Sequence, residues 1–176
     1  MDELRIEMLS DNLLYNMDEF DCGDTTLNTF LTAHLRRQHD GKILRGYVLR
    51  TVSPSSKILG YYTLSGSSFE KATLPSRSQQ KKVIYQNVPC VMLGRLAVDK
   101  SLQGAGWGST LVAHAMNVVY HASRAVGIYG LFVEAINEKA REFYISLGFI
   151  PLSGNNNNAL FYPTQSIEQL FAKPGR

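Results

Sequence analysis

Gln103-Gly104-Ala105-Gly106-Trp107-Gly108 is the stretch that decides the fold of this 176-residue chain. It follows an apolar run at residues 91–98 that predicts a buried strand, and it precedes a helical pattern that begins near Ser109. Glycines let the backbone turn tightly with its N–H groups facing inward, and a helix N-terminus adds about half a positive charge. A strand, a glycine-rich turn and a helix start in this order predict an anion site suited to a diphosphate.

Two common phosphate-binding motifs do not fit this loop. A P-loop requires GxxxxGK[ST], and no lysine follows the last glycine here. The GxGxxG motif of dinucleotide-binding folds would need its third glycine at the position of Ser109. The glycines alone therefore leave open an ordinary turn between a strand and a helix.

Length and composition predict a single domain that spans residues 1–176. Hydrophobic residues make up 44% of the sequence, and no apolar run approaches the ~18 residues of a membrane-spanning helix. The two cysteines, Cys22 and Cys90, are far apart and form no metal-binding or redox spacing. The N-terminus also lacks the apolar segment of a signal peptide. We therefore expect a cytoplasmic protein with no metal site and no membrane partner.

Charge is unevenly distributed, although the net charge is only +3. Residues 1–33 carry eight acidic side chains and one basic side chain, whereas residues 34–100 carry twelve basic and three acidic ones. A basic middle third favours a polyanionic partner, and plain solubility is the alternative explanation. The basic clusters are His34 with Arg36, Arg37 and His39; Lys42 with Arg45; and the segment Lys71–Lys82.

The remaining hydrophobic pattern predicts the element order β-α-β-β-loop-β-α-β-α-β-β. The predicted strands are residues 4–9, 43–52, 58–65, 91–98, 128–136, 149–152 and 159–162, and the predicted helices are 25–40, 109–124 and 138–147. Residues 66–88 break the pattern and predict a long loop. This order predicts an α/β fold, with a mixed central sheet and helices on both of its faces.

The glycine loop resembles the Q/R-x-x-G-x-G/A signature of the GNAT acetyltransferases, and the element order resembles theirs over nearly the whole chain. The resemblance implies the GNAT fold and acetyl-CoA as cofactor, with the loop around its pyrophosphate and the strand before the loop along its pantetheine arm. The cofactor-binding residues that it implies are Leu96, Ala97, Val98, Gln103, Gly104, Ala105, Gly106, Trp107, Gly108, Ser109 and Asn137.

The segment from Asn137 to Phe149 resembles the family pattern N-x-x-A-x-x-x-Y-x-x-x-G-F. The resemblance implies that Tyr144 is the catalytic acid that protonates the coenzyme A sulfur. A phenol that titrates near ~10 is close enough to a thiol for this role, and a plain core position is the alternative. No general base is apparent, because residues 91–98 contain no carboxylate. An α-amine near ~7.7 needs less help than a lysine near ~10.4.

Several stretches resemble one subgroup, the acetyltransferase toxins of bacterial type II toxin–antitoxin modules, closely the AtaT type and more distantly TacT. These stretches are Phe20–Gly23, Leu59–Leu64, Leu93–Asp99 and Leu160–Thr164. The resemblance implies acetylation of the α-amino group of an aminoacyl-tRNA, which blocks translation, together with a ribbon-helix-helix antitoxin and a homodimer. The candidate tRNA contacts are Arg36, Arg37, Lys81, Lys82 and Arg95, and we expect the acidic N-terminal segment to stay clear of the RNA. Arg95 either faces a polar cleft or pairs with a carboxylate such as Glu134.

Two other functions remain open at this point. A GNAT enzyme that acts on a small amine or a protein N-terminus would favour an acidic acceptor groove, which the basic middle third does not supply. A non-catalytic module that binds acyl-CoA or RNA would have lost the tyrosine or the glycines, and both are present.

Overall fold

A computed structural model describes residues 2–154 and 156–171 of the chain. The strands are β1 (Leu4–Met8), β2 (Tyr15–Asn16), β3 (Arg45–Thr51), β4 (Ser56–Glu70), β5 (Asn87–Val98), β6 (Gly130–Glu134), β7 (Ile150–Pro151) and β8 (Ala159–Pro163). The helices are α1 (Thr25–Ala33), α2 (Leu35–Asp40), α3 (Arg77–Lys81), α4 (Trp107–Ala122), α5 (Glu138–Ser146) and α6 (Thr164–Phe171). Short 3-10 turns cover Lys71–Thr73 and Lys100–Leu102.

The described residues form two compact units. The first takes the residues up to Ser65 and Leu93–Ala115, and the second takes Gly66–Met92 and the residues from Met116 onward. Strands and helices occur in both units, and the strands include parallel and antiparallel pairs. The fold class is therefore α/β with a mixed sheet, as the sequence predicts.

The first unit contains the strand order β1-β3-β4-β5. β1 pairs antiparallel with β3, and β3 pairs antiparallel with β4, with a register shift between Leu49 and Arg50. The predicted first strand and the predicted hairpin are thus confirmed. The short β2, which the sequence did not indicate, pairs parallel with the start of β4. In the core of this unit, buried side chains of α1 and α2 pack against buried side chains of the sheet. These residues are Phe30, Leu31, Leu35, Val48, Ile58, Tyr61 and Ala97.

The helix predicted for residues 25–40 is two helices, and this prediction was wrong at His34. The backbone of His34 leaves the helical region, with φ −128°, so that α2 follows α1 in a new direction. The change in direction packs the Leu35 side chain against the bare backbone of Gly46 in β3. A Cβ added at Gly46 would lie only 2.8 Å from a Leu35 methyl carbon. The Nδ1 atom of His39 also accepts a 2.9 Å hydrogen bond from the Gly46 N–H. Contacts with β3 therefore fix the position of α2.

The second unit contains the strand order β5-β6-β8-β7. β8 pairs antiparallel with both β6 and β7, which confirms the predicted terminal hairpin. The phenyl ring of Phe69 packs against Phe132 and Phe161, with ring centroids 5.7 and 5.6 Å away. Burial of these three rings, together with Leu74, Val83 and Val88, forms the core of this unit.

Residues 66–88 are not the long loop that the sequence predicts. β4 continues to Glu70, α3 occupies Arg77–Lys81, and β5 begins at Asn87. The strand extends because Phe69 is buried in the core of the second unit, although its neighbours are serines and a glutamate. The side chain of Ser76 caps α3 by accepting a hydrogen bond from the Gln79 N–H at 3.1 Å.

The helix α6 is a further element that the sequence did not indicate. It begins directly after β8, with no loop between strand and helix. None of the helices in residues 2–154 and 156–171 is long and apolar enough to cross a membrane.

Candidate active site

The glycine loop has the backbone geometry that an anion site requires. Gly104 and Gly106 have φ angles of +82° and +89°, in the left-handed region that residues with a side chain rarely adopt. Ala105 lies between them with an ordinary φ. Alternation of this kind turns successive N–H groups toward one side and makes a concave anion-binding surface.

The helix after the loop begins at Trp107, two residues earlier than predicted. The Thr110 N–H donates to the Gly106 carbonyl at 3.1 Å, and the Thr110 hydroxyl donates to the same oxygen. The N–H groups ahead of Thr110 in this first turn have no partner within the helix, and they carry the partial positive charge of its N-terminus. An added Cβ at Gly104 or Gly106 would meet no described atom within 4 Å, so the loop faces open space. The loop therefore fits a diphosphate group.

Two polar side chains hold this loop in place. The Gln103 amide donates to the carbonyl oxygens of Cys22 at 2.9 Å and Val98 at 2.8 Å. The Asp99 carboxylate accepts hydrogen bonds from the Asp21 N–H at 2.9 Å and from the Ser101 hydroxyl at 2.7 Å. Burial raises the pKa of Asp99, but these hydrogen bonds outweigh burial and hold its pKa below the ordinary value. Gln103 thus positions the loop, whether or not it also contacts cofactor.

Asp99 was missed by the sequence analysis, although one signal was available. An aspartate that directly follows a strand and precedes a turn is a common N-cap, and Asp99 caps the turn Lys100–Leu102 in this way. Its contact with the Asp21 N–H also ties the N-terminal segment to the residues before the loop. That second contact joins residues 78 positions apart and leaves no local pattern.

The strand before the loop is partly buried, as predicted. Ala97 lies in the core of the first unit with 5% of its surface exposed, and Leu96 and Val98 are half-buried. Upstream, the Arg95 N–H donates to the Thr63 hydroxyl at 3.1 Å. The pairing of Leu96, Ala97 and Val98 with pantetheine stays a prediction.

Tyr144 lies in α5, in the second unit. Its side chain is 8% exposed, and the rings of Phe143 and Phe149 contact it edge-on, with centroids 5.1 and 5.2 Å away. Burial raises the pKa of Tyr144, because a phenolate in this environment would lose its hydration. A phenol is already protonated at neutral pH, and the shift keeps it in that state, which is the state that a proton donor needs.

The ends of α5 follow the sequence pattern closely. Asn137 caps the first turn, with its side-chain oxygen accepting the Ala140 N–H at 2.8 Å. Gly148, at φ +101°, follows the last turn, and the Phe149 N–H returns to the Tyr144 carbonyl at 3.1 Å. The cap oxygen of Asn137 is thus engaged, so its predicted contact with the cofactor would involve the amide nitrogen.

The candidate tRNA contacts differ in whether they form ion pairs within the protein and in how exposed they are. Arg36 pairs with Asp11 at 3.5 Å and Asp40 at 3.8 Å, whereas Arg37 is exposed and lies 3.3 Å from the His34 ring nitrogen. Lys81 and Lys82 are exposed at the end of α3.

Arg95 has a contact that the sequence did not suggest. Its guanidinium carbon lies 3.8 Å from the centroid of the Phe30 ring, which is a cation–π geometry. Glu134, the carboxylate considered for it, accepts a 2.8 Å hydrogen bond from the Asn156 amide. The aromatic ring therefore accounts for a half-buried arginine in an apolar strand. A role for Arg95 in tRNA binding stays a prediction.

The acidic N-terminal segment forms ion pairs with several of the basic residues. Glu7 binds Arg50 at 2.8 Å, and Glu19 binds Lys57 at 2.9 Å. Asp21 lies 3.4 Å from Lys100. These ion pairs neutralise part of the positive charge that the sequence count assigns to residues 34–100.

Comparison with known proteins agrees with the geometry of the loop. Residues 47–151 match the family model described as an acetyltransferase (GNAT) domain. The chain belongs to the GNAT acetyltransferase family. A curated relative from Mycobacterium tuberculosis, named tRNA-acetylating toxin, is 28% identical over 134 residues, which cover 76% of this chain and 78% of the relative.

Solved structures resemble this GNAT chain more strongly. AtaT complexed with acetyl-methionyl-tRNAfMet is 64% identical, covers 96% of this chain and 99% of its own, and has a TM-score of 0.93. A tyrosine-to-phenylalanine mutant of KacT gives the same identity, coverage and TM-score. AtaTR bound with acetyl-CoA is 65% identical, covers 97% of this chain and 99% of its own, and has a TM-score of 0.86.

Proposed function

We propose that this GNAT acetyltransferase is a toxin that transfers the acetyl group of acetyl-CoA to the α-amino group of an aminoacyl-tRNA and so blocks translation. The observation that carries the proposal is 64% identity, over 96% of the chain, to AtaT solved with acetyl-methionyl-tRNAfMet. The relative named tRNA-acetylating toxin supports the same substrate class.

Acetyl-CoA would be held mainly by backbone groups. The N–H groups of Gly104 to Ser109 would bind its diphosphate at the start of α4, and the backbone of Leu96, Ala97 and Val98 would pair with the pantetheine arm. The left-handed glycines and the open space before the loop support this assignment. When bound, acetyl-CoA supplies the acetyl thioester for the reaction. A similar protein, AtaTR, has been solved with acetyl-CoA bound.

Tyr144 would supply the proton that the sulfur takes up as the thioester is cleaved. The hydroxyl is protonated at neutral pH, as is any phenol that titrates near ~10, and burial raises its pKa further, so the proton is present when the leaving thiolate forms. No carboxylate is available in residues 91–98 to take a proton from the amine. An α-amine titrates near ~7.7 and is largely neutral without help at slightly alkaline pH, which suits an aminoacyl ester better than a lysine side chain.

The proposal also covers the domain organisation, the antitoxin and the oligomeric state of the protein. The two units would together make one GNAT domain, because the family match at residues 47–151 draws on both. A ribbon-helix-helix antitoxin would hold the toxin inactive, and AtaT bound to the C-terminus of the antitoxin AtaR supports an antitoxin of some kind. The enzyme would act as a homodimer in the cytoplasm, where charged tRNA is found.

The exposed bases supply the test that separates tRNA from a small amine. Neutralising Lys81 and Lys82 together should raise the KM for aminoacyl-tRNA and lower the salt dependence of its binding by about two counterions, roughly one per lost phosphate contact. Acetylation of a short peptide with a free N-terminus should be unchanged, because such a substrate carries no phosphate for the two lysines to bind.

A matched control removes two charges elsewhere, through Arg5→Gln and Arg124→Gln, which are exposed and outside the candidate contacts. This pair should leave the KM for aminoacyl-tRNA close to wild type. If salt affects both substrates equally, or if no aminoacyl-tRNA is acetylated, the toxin function is wrong and a GNAT enzyme for small amines remains.

A further inference from the structure

The guanidinium group of Arg95 is held by the fold without being paired. Its central carbon lies 3.8 Å from the centroid of the Phe30 ring. Within the part of the chain that the structure describes, the Arg95 side chain forms no hydrogen bond and no ion pair, and only its backbone N–H donates to another residue. A half-buried charge usually has such partners, because they replace its lost hydration. The side-chain N–H groups of Arg95 are therefore available to a ligand.

The backbone of Arg95 is held in place as well. Its N–H donates to the hydroxyl of Thr63 at 3.1 Å, and Thr63 is only 2% exposed. A Cβ added at Gly94 would lie 3.0 Å from the same hydroxyl oxygen, so a side chain at position 94 would crowd this contact. Thr63 thus fixes the backbone of Arg95, and Phe30 fixes its guanidinium.

The Phe30 ring contacts the flat face of the guanidinium and leaves its edge free. The edge carries five N–H donors that match the oxygens of a phosphate. Phe30 is itself 7% exposed and stacks on Tyr61, with ring centroids 6.3 Å apart and an angle of 16° between the rings. Because the core holds the ring, the ring directs the donors before substrate binds. This lowers the entropy that a long side chain loses on binding.

The position of Arg95 on β5 relates it to the acceptor and not to the diphosphate. Arg95 directly precedes Leu96, the first of the three residues proposed to pair with the pantetheine arm. The diphosphate would lie in the loop after Val98, so the arm would run back along β5 with its thioester at the Arg95 end. Consecutive residues of a strand are about 3.3 Å apart. The donors of Arg95 would therefore lie on the side where the acceptor amine approaches.

The acceptor itself supplies an anion at this place if it is an aminoacyl-tRNA. The phosphate nearest to the reacting amine is the phosphodiester that joins the last two nucleotides. Only one ribose and the aminoacyl ester separate this phosphate from the amine. A phosphodiester has two non-bridging oxygens, which the edge of a guanidinium binds through two parallel hydrogen bonds.

We propose that Phe30 is a positioning residue, which holds the edge of the Arg95 guanidinium toward the phosphodiester between the last two nucleotides of the aminoacyl-tRNA. Two N–H groups of Arg95 donate to its two non-bridging oxygens, and the aminoacyl end is held at the thioester. The proposal rests on the tRNA substrate proposed above. It assigns a role to Phe30, which lies outside the GNAT signature, and it assigns Arg95 to one particular phosphate.

Acceptors of different length locate this phosphate. The wild type and Arg95→Gln are compared on aminoacyl-tRNA, on the aminoacylated dinucleotide CpA and on aminoacyl-adenosine, each with the amino acid whose tRNA the wild type acetylates fastest. The dinucleotide contains only the phosphodiester in question, and the adenosine contains none. Arg95→Gln should lower kcat/KM by about 10-fold to 100-fold on the tRNA and on the dinucleotide, the effect of a charge-assisted pair. Its kcat/KM on aminoacyl-adenosine should equal that of the wild type.

Phe30→Leu tests the positioning, because it removes the ring and keeps the charge of Arg95. The KM for aminoacyl-tRNA should rise about 2-fold to 10-fold, the cost of ordering one long side chain, with kcat and the Kd of acetyl-CoA unchanged. The salt dependence of KM should stay as in the wild type, whereas Arg95→Gln should lower it by about one counterion. In the Arg95→Gln background, Phe30→Leu should have no further effect, because no guanidinium remains to be positioned.

Phe20→Leu is the matched control for the loss of a core ring. Phe20 is 8% exposed, belongs to the same core cluster as Phe30 and contacts the Tyr61 ring at 6.0 Å. It should lower the melting temperature about as much as Phe30→Leu and leave the KM for aminoacyl-tRNA unchanged.

Three results would overturn the proposal and leave the proposed function intact. These are an equal loss on the dinucleotide and on aminoacyl-adenosine, a loss confined to the full tRNA, and an effect of Phe30→Leu that persists without Arg95. If the wild type acetylates none of the three aminoacyl acceptors, the proposed function is wrong, and the role of Phe30 and Arg95 is wrong with it.

Discussion

Gly106→Ala separates two reasons for the glycine at the centre of the loop. The residue has a φ of +89°, which alanine adopts only with strain, yet its added Cβ would meet no described atom within 4 Å. The free protein should therefore lose only the energy of backbone strain. The larger loss should appear when acetyl-CoA is added, because a diphosphate held by the loop N–H groups has to lie against the bare backbone.

The two effects have different magnitudes. Left-handed backbone costs an L-residue about 1–2 kcal/mol. In a chain of this size 1 kcal/mol shifts the melting temperature by about 2–4 °C, so the free variant should melt about 2–8 °C lower. Acetyl-CoA at 100 times its Kd stabilises the wild type by about 2.7 kcal/mol, or about 5–11 °C. The variant should gain almost none of this ligand-induced shift.

Thermal unfolding with and without acetyl-CoA measures both effects in one experiment. Gly66→Ala is the control, because Gly66 is exposed, its Cβ would also meet open space, and its φ is not positive. That variant should keep the full ligand-induced shift. A Gly106→Ala protein that gains the same shift as the wild type would show that the diphosphate binds elsewhere.

Two further variants test the catalytic acid and the pH dependence of the fold. Tyr144→Phe should lower kcat by at least ~10²-fold in steady-state acetylation with the Kd of acetyl-CoA nearly unchanged, and turnover close to wild type would contradict the acid role. Glu7→Gln should lower the free energy of unfolding at pH 7 by about 3 kcal/mol, since it breaks the bidentate pair with the buried Arg50. Burial raises the pKa of Glu7, but hydrogen bonds from Arg50 and Tyr15 outweigh it, and the net pKa is lowered from 4.5. The pair therefore stabilises the fold above that pH and loses its effect as the pH falls through the folded-state pKa, so the difference between wild type and variant in urea unfolding should shrink at pH 3. A difference that stays constant with pH would show that the charge of Glu7 is not what stabilises the pair.

The features predicted correctly from the sequence are those determined by a few neighbouring residues. The left-handed turns at Gly104 and Gly106 need glycine wherever they occur, and the turn is therefore visible in the sequence. The helix α5 begins at an asparagine cap and ends at Gly148, and both signals are local.

The errors have long-range causes. The break at His34 depends on Leu35 meeting a bare backbone at Gly46, eleven positions later. The extension of β4 depends on Phe69 finding Phe132 and Phe161 in the core of the second unit. The neighbours of Leu35 and Phe69 in the sequence give no sign of these contacts, so a local pattern would not have predicted either.

The distribution of ion pairs changes what the basic middle third implies about tRNA. Arg50 forms two short hydrogen bonds to Glu7 with only 7% of its side chain exposed, so releasing it to a phosphate would break both bonds and leave the partly buried carboxylate without its cation. Arg36 is different, because its ion-pair partners Asp11 and Asp40 are exposed and lie 3.5 and 3.8 Å away, and its one short contact is a neutral one, to the Ser10 carbonyl at 3.0 Å. Surface pairs of this kind contribute at most about 1 kcal/mol, and a phosphate outcompetes them readily. The bases available to RNA are therefore the exposed ones, Arg95 and the loosely paired Arg36, which is a smaller set than the sequence count suggests.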